Sequence, residues 1–141
     1  MKKLLIVEDD KNWADILGKF AADVGAEHQV AVSGGQAIEI IDNWKPDAVI
    51  LDMLLAGETA IALLNELRSY ADLASLPIVV CTNIDVKMDD LRPLGVKAIL
   101  NKTSMRPNEA RAMNGRIGLI RHRDGLTFYV EMPISRQLSL I

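Results

Sequence analysis

Four short apolar runs constrain this chain most. Residues 4–7 (Leu-Leu-Ile-Val), 48–51 (Ala-Val-Ile-Leu), 78–81 (Ile-Val-Val-Cys) and 96–100 (Val-Lys-Ala-Ile-Leu) each give way to polar residues. Runs of this length bounded by breakers predict strands, and those without polar alternation predict burial on both faces. Helical stripes lie between them. Trp13, Ile16, Leu17, Phe20, Ala21 and Val24 fall at i, i+3, i+4, i+7, i+8 and i+11, ahead of Gly25 as a helix terminator. A short strand over 29–32 follows. Ser33 then N-caps a second helix striped by Ala37, Ile38, Ile41 and Trp44, which Pro46 stops. A third helix is predicted over 57–70 with Ile61, Leu64 and Leu67 inward. A short fourth one within 85–94 breaks at Pro93 and Gly95. Strands alternating with helices predict right-handed βαβ crossovers and a doubly wound, five-stranded parallel α/β sheet.

Four of the five strands deliver a polar group at the carboxyl end: Glu8 and Asp9 after the first, Asp52 after the third, Thr82 after the fourth, Lys102 after the fifth. In the order 2-1-3-4-5 these ends are neighbours at the edge where open α/β sheets bind ligands. Three carboxylates sharing one pocket cannot all stay ionised without a cation. Oxygen-only ligands with room for water suit Mg²⁺, or Mn²⁺ as the alternative. A hydroxyl and an ammonium opposite them suit phosphoryl oxygens. Asp52 is then a candidate carboxylate nucleophile forming an acyl phosphate, with the metal and Lys102 stabilising the transferring charge.

Composition narrows the alternatives. With 141 residues the chain can hold one domain with a true core, and its net charge of −3 offers no general attraction to nucleic acid or anionic membrane. Residues 1–102 carry 10 basic and 16 acidic side chains, net −6, whereas 103–141 carry 6 arginines and 3 acids, net +3. The last third is therefore a different kind of segment. Cys81 is the only cysteine, which excludes a disulfide framework and a thiolate metal cluster, and its setting predicts a core residue. The apolar stretch after Met1-Lys2-Lys3 is too short for a signal peptide or a membrane span, so a cytoplasmic location is expected. Trp13 and Trp44 are read as core or partly buried helix residues, and His28 and His122 as surface residues.

The ordered set Leu5-Ile6-Val7-Glu8-Asp9-Asp10, Pro46-Asp47 through Leu51-Asp52, Pro77-Ile78-Val79-Val80-Cys81-Thr82, Gly95 and Lys102 resembles the receiver domain of two-component response regulators. The intervals of 43 residues from Asp9 to Asp52 and 30 from Asp52 to Thr82 suit that family. The resemblance covers residues 1–102 and extends loosely to 113. It implies that Asp52 is the phosphoacceptor. It also implies a Mg²⁺ site formed by Glu8, Asp9, Asp52 and the backbone carbonyl of Leu54. Thr82 and Lys102 would contact the phosphoryl group. Asp10 is expected to cap the first helix. The implied partners are a histidine kinase or phosphotransfer protein and an unknown output protein. The implied role is signalling rather than enzymatic, with at most self-phosphorylation from small donors and autodephosphorylation. No helix-turn-helix is recognisable after Lys102. A degenerate receiver serving as an interaction scaffold is one alternative. An Asp-nucleophile phosphatase-like hydrolase is the other, but it commonly places an acid/base Asp where this chain has Leu54.

Several positions depart from the family pattern. Ala56 stands where Pro is usual, Asn83 where a small residue follows the Thr, Ile99 where an aromatic switch residue is common, and Thr103 where Pro follows the Lys. Asn83 is positioned to narrow the entry to Asp52 or to add a hydrogen bond to the phosphoryl group. The interval from Asp52 to Lys102, 50 residues, is slightly short and predicts an abbreviated fourth helix. In the family, the positions of Leu54 and Ile84 flank the path of the hydrolytic water. Two apolar side chains there imply a long-lived acyl phosphate.

The tail breaks the alternating pattern. One or two helical turns are expected over 105–113. A β-hairpin extension over 114–141 follows, its strands at 116–121 and 126–132 flanking the tight-turn dipeptide Asp124-Gly125, and then a loose end after Pro133. The hairpin stands in place of, or after, a shortened fifth helix. Its two strands are similar to the last strands of histidine-kinase ATPase domains, but the nucleotide-binding boxes of that domain are absent and ATP binding is not expected. A hairpin wants a partner surface, so self-association through 114–141 is a further expectation.

Overall fold

Parallel strands with both faces covered should carry apolar residues on both faces, and the structure uses this alternation directly. The computed structural model describes residues 2–102 and the backbone of 117–122, 125–130 and 136–139. In chain order the first elements are β1 (Lys3–Val7), α1 (Lys11–Asp23), β2 (Glu27–Ala31), α2 (Gly34–Trp44) and β3 (Ala48–Leu51). Next come β4 (Leu54–Leu55), β5 (Glu58–Thr59), α3 (Ile61–Ser69), β6 (Ile78–Thr82), α4 (Met88–Leu91), a 3₁₀ turn (Arg92–Leu94) and β7 (Val96–Asn101). Strands β2-β1-β3-β6-β7 form one parallel five-stranded sheet, so the predicted order holds. Leu4 and Ile6 of β1 join Leu17 and Ala21 of α1 on one face, while Leu5 and Val7 join Ile41, Leu64 and Leu91 on the other. This is the period-two alternation of a strand read out on two cores.

Local chemistry sets the ends. Asp10 caps α1, its Oδ1 accepting the N–H groups of Asn12 at 2.8 Å and Trp13 at 3.2 Å. Ser33 Oγ accepts from the Gln36 N–H at 3.2 Å and caps α2. α2 ends at Lys45 in the left-handed region, one residue before Pro46. At the amino edge of the sheet, Asp47 Oδ2 accepts from the Lys3 N–H at 2.9 Å. Lys3 Nζ donates to the Trp44 carbonyl at 3.0 Å.

The differences from expectation have local causes. The strand expected at 29–32 occupies Glu27–Ala31, because β2 is an edge strand and its register with β1 fixes its bounds. The third helix begins at Ile61, not at 57, because Leu54–Leu55 and Glu58–Thr59 pair as a tight hairpin. Its buried residues are Leu63, Leu64 and Leu67, and Ile61 is 36% exposed rather than inward. The fourth helix shrinks to Met88–Leu91 plus the 3₁₀ turn that contains Pro93, closed by Gly95 at φ +89°. In the tail, β8 (Ile117–His122) and β9 (Gly125–Val130) match the expected hairpin. A third strand, β10 (Arg136–Ser139), pairs with β9 where a loose end was expected. The helical turns expected over 105–113, and the 113/114 boundary, lie outside the described residues. So does the side chain of His122.

The β4–β5 turn places Ala56 at φ +51° and Gly57 at φ +83°. Two positive φ values are what a two-residue hairpin turn of this hand needs, and alanine holds one of them at a cost of about 1 kcal/mol. Ala56→Gly is expected to raise stability by up to about 1 kcal/mol. Ala56→Pro, which forces φ near −65° and removes a donor, should lower it by roughly 1–3 kcal/mol. Urea denaturation with an unchanged slope checks both; a Pro variant as stable as the parent would refute the strain.

Candidate functional site: an acidic pocket at the carboxyl edge of the sheet

Three of the site residues are each held by a ladder bond that continues one step past the strand. Glu8 N–H donates to Ala31 O, Asp52 N–H to Val7 O and Lys102 N–H to Thr82 O, each at 2.9 Å. The parallel registers thus bring Glu8, Asp9, Asp52, Thr82 and Lys102 together, as their strand-end positions predict. Glu8, Asp52, Thr82 and Lys102 are the buried polar and charged residues among those described, at 1%, 8%, 0% and 4% exposure.

Their hydrogen bonds form one network. Lys102 Nζ donates to Glu8 Oε2 at 2.7 Å and to Asp52 Oδ2 at 2.9 Å. Asp52 Oδ1 accepts from Thr82 Oγ1 at 2.8 Å and from the Leu54 N–H at 3.1 Å. Glu8 Oε1 accepts from the Asp10 N–H at 3.1 Å, tying the pocket to the cap of α1. Ile84 N–H donates to Thr82 Oγ1 at 3.3 Å. Asp9, exposed at the mouth, accepts at Oδ2 from the Ala56 N–H at 2.9 Å.

Carboxylate oxygens of Glu8, Asp9 and Asp52 lie within 4.8 Å of one another. Lys102 offsets one of those three charges, leaving a deficit of two that a divalent cation would neutralise. An all-oxygen donor set open to solvent at Asp9 fits Mg²⁺ or Mn²⁺. Burial pushes the Glu8 carboxyl up from 4.5 to about 7, against the pull of Lys102, and the charge of Asp52 adds to the rise. Asp52 moves the other way. Burial would raise it, but hydrogen bonds from Lys102, the Leu54 N–H and Thr82 outweigh burial and hold it below the usual carboxylate range. For Lys102, burial is outweighed by its two carboxylate partners, so its ammonium stays charged. Asp52 is therefore ionised at neutral pH.

The remaining predicted positions are less central. Leu54 is 43% exposed beside the pocket, and Ile84 is half-buried. Asn83 is exposed at the rim. Ile99 is half-buried, packed on the core shared with Leu91 and Leu94 rather than on the pocket. An apolar cleft of about 290 Å³ lies beside the site, lined by Met53, Ile61, Ile84, Val86 and Leu91 among others. A larger cleft of about 430 Å³, between Asp42, Lys45, Asp47, Asp72 and Leu76, sits at the opposite edge of the sheet and has no part in this chemistry. Two contacts were not foreseen from the residues: the Ala56 N–H on Asp9, and the Trp13 ring 5.2 Å from Lys102 Nζ. The departure from Pro at 56 was a signal for the first. The place of Trp13 in the first turn of α1, just after the acidic run, was a signal for the second.

Comparison with known proteins agrees with this geometry. Residues 4–113 match the family model described as the response regulator receiver domain. The chain belongs to the response regulator receiver family. It is 29% identical over 125 residues to the sensory transduction protein RegX3 of Mycobacterium tuberculosis H37Rv, covering 89% of this chain and 53% of that protein. It is 27% identical over 112 residues to the Regulator of RpoS of Escherichia coli K12, covering 79% of this chain and 33% of that protein. The chain thus spans between a third and about half of the length of these relatives. A solved chain assigned to the response regulators, from Chloroflexus aurantiacus J-10-fl, superposes with a TM-score of 0.65 at 30% identity, covering 80% of this chain and 95% of that one. Receiver domains are signalling domains that bind Mg²⁺ or Mn²⁺ through acidic residues and interact with histidine kinases or phosphotransfer proteins.

The raised Glu8 gives a pH signature. Folding takes up a proton at Glu8 between about pH 4.5 and 7, so without divalent cations stability falls as pH rises through that window. Asp52 contributes in the opposite sense, and only where pH falls below its ordinary 3.8. Urea titrations in chelator are expected to show declining stability from about pH 5 to 7.5 in the parent and a flat profile in Glu8→Gln. Added Mg²⁺ should stabilise more at the upper end, where the carboxylates are ionised. Equal slopes in the parent and Glu8→Gln would refute the assignment.

Proposed function

We propose that this receiver is a phosphoacceptor module in which Asp52 takes a phosphoryl group from a histidine kinase or phosphotransfer protein, in a Mg²⁺-dependent reaction. The single observation that carries the reading is the buried Lys102 ammonium held between Glu8 and Asp52, with Thr82 on the other Asp52 oxygen. An Asp52 oxygen attacks phosphorus, the phosphorus–nitrogen bond of the donor's phosphohistidine breaks, and the imidazole leaves with the electron pair and takes up a proton. Glu8, Asp9, Asp52 and the Leu54 carbonyl would hold the cation, which supplies charge neutralisation to the transferring group when bound. Lys102 binds a phosphoryl oxygen and keeps its position on Asp52. Once Asp52 is phosphorylated its oxygens are weaker acceptors, and Thr82 turns its hydroxyl to a phosphoryl oxygen. The Ile84 N–H follows Thr82, which carries the change into the loop before α4.

With Ile99 packed in the core, the output runs through the Thr82–Ile84 segment rather than through an aromatic switch. No helix among the described residues is long and apolar enough to cross a membrane. A hydrolase would need an acid/base where the exposed Leu54 stands. An interaction scaffold would not need an ionised, lysine-held Asp52.

Incubation with acetyl phosphate and Mg²⁺, followed by intact mass measurement, is expected to give one phosphoryl adduct in the parent and none in Asp52→Asn. Multiple turnover would indicate a hydrolase, and absence of reaction a scaffold. The apolar side chains of Leu54 and Ile84 shield the acyl phosphate from water. Leu54→Asn with Ile84→Glu should shorten its lifetime about tenfold, which is about 1.4 kcal/mol on the barrier. An adduct lasting seconds in the parent and unchanged in the double variant would rule out the shielding.

The tail sheet is read as closing the α1 face of the core in place of a fifth helix. Val79, Cys81, Ala98 and Leu100 are buried on that face, where α1 is the only helix among the described residues, and β8 lies against α1. In the sequence Leu126, Phe128, Val130 and Met132 alternate with Thr127, Tyr129 and Glu131, and the register sets Ile117 opposite Val130 and Leu119 opposite Phe128. Phe128→Asp should cost more than about 2 kcal/mol, and Tyr129→Asp less than about 0.5. If Phe128→Asp instead leaves stability intact and lowers the solution mass by light scattering, the sheet serves self-association.

A further inference from the structure

An ammonium has three N–H donors, and a buried one should direct all three at something. Lys102 directs two of them at carboxylates, Glu8 Oε2 and Asp52 Oδ2, with only 3% of its side chain exposed. Among the described residues a further neighbour is the half-buried indole of Trp13, its ring centre 5.2 Å from Nζ, inside the range in which a ring face attracts a cation. Trp13 is held there by the same network. The Asp10 carboxylate caps its N–H, and the Asp10 N–H is bound by Glu8, which also receives Lys102. The other tryptophan offers a contrast. Lys3 lies 5.7 Å from the Trp44 ring at the opposite edge of the sheet, and its ammonium donates to the carbonyl of Trp44 itself.

We propose that Trp13 is a positioning residue for Lys102, its ring face holding the ammonium against Asp52 when the cation and the phosphoryl group draw on Glu8. The inference rests on the phosphoacceptor reading of Asp52. A ring face suits this task because it attracts the ammonium without competing for the carboxylates. Glu8 is called upon twice, by Lys102 and by the divalent cation. If Glu8 alone tethered Lys102, occupation of the acidic pocket would loosen the very group that must meet the phosphoryl oxygens. Trp13 supplies a tether that cation binding leaves in place. A leucine there would fill the space and leave the third N–H direction without an attractive partner.

The test uses the full chain with Trp44→Phe, so that Trp13 is the only tryptophan, and replaces it with mono-, di- and trifluorotryptophan, which weaken the ring's attraction for a cation at nearly constant shape. The rate of phosphorylation by acetyl phosphate is expected to fall stepwise with fluorine content, by about 3- to 10-fold in all, and Trp13→Leu should lose as much. Mg²⁺ affinity measured by calorimetry without donor should not weaken, because the ring acts on Lys102 and not on the carboxylates of Glu8, Asp9 and Asp52. A flat fluorine series, a Trp13→Leu variant at the parent rate, or a parallel loss of rate and Mg²⁺ affinity overturns the proposal. If the parent accepts no phosphoryl group, the phosphoacceptor reading fails, and the contact is judged by NMR alone. Upfield-shifted Lys102 methylene protons that return to ordinary positions in Trp13→Leu support it, and unshifted ones refute it.

Discussion

A single ammonium holds the carboxyl edge of this sheet together. Lys102, at the end of the last sheet strand, reaches Glu8 after the first and Asp52 after the third, so one side chain spans β7 to β1 across the pocket. Burying a cation is tolerable only with close, well-directed partners, and burying two carboxylates is tolerable only with a cation. The arrangement is therefore cooperative: each of the three groups makes the burial of the others possible. Taking one away leaves an uncompensated charge in a site that is nearly sealed. The same cooperativity sets the chemistry, because it splits two similar carboxyls into a Glu8 that is easily protonated and an Asp52 that is not. One environment thus provides a carboxyl that adapts to the local charge and another that stays ionised.

The sheet and most of the pocket were legible in the sequence because both follow from period and position. A four-residue apolar run that ends in Asp fixes a strand, its face pattern and the carboxylate at its end, as at Ala48–Leu51 and Asp52. The spacing of those ends does the rest, since a parallel sheet aligns them. What the residues did not reveal are features decided by backbone geometry or by a contact across the fold. The hairpin at Leu54–Leu55 and Glu58–Thr59 contains no residue pair that announces it, because Ala56 adopts a positive φ that propensity disfavours. Its N–H then reaches Asp9, a partner 47 residues away.

Trp13 was legible only as part of an apolar stripe. The stripe is real, with Leu17 and Ala21 buried beneath it, but its first member also borders the pocket. A residue at the end of a helix stripe can belong to the core by its body and to the site by its face, and spacing alone does not separate the two. Ile61 illustrates the reverse error. The 3.6-residue period is satisfied by Ile61, Leu64 and Leu67, yet Ile61 is the first residue of the helix and faces outward, while Leu63 joins Leu64 on the buried side. Periodicity predicts a face well inside a helix and poorly at its ends.

Cys81 has a consequence of a different kind. It is the only cysteine of the chain, fully buried in β6 next to Thr82, and burial pushes its thiol up to about 12. Thiolate is the form that oxidants and alkylating agents attack. The folded chain therefore behaves chemically as a thiol-free protein. Peroxide or a disulfide exchange partner finds no handle on it, and a maleimide dye placed on an introduced surface cysteine would report from that place alone.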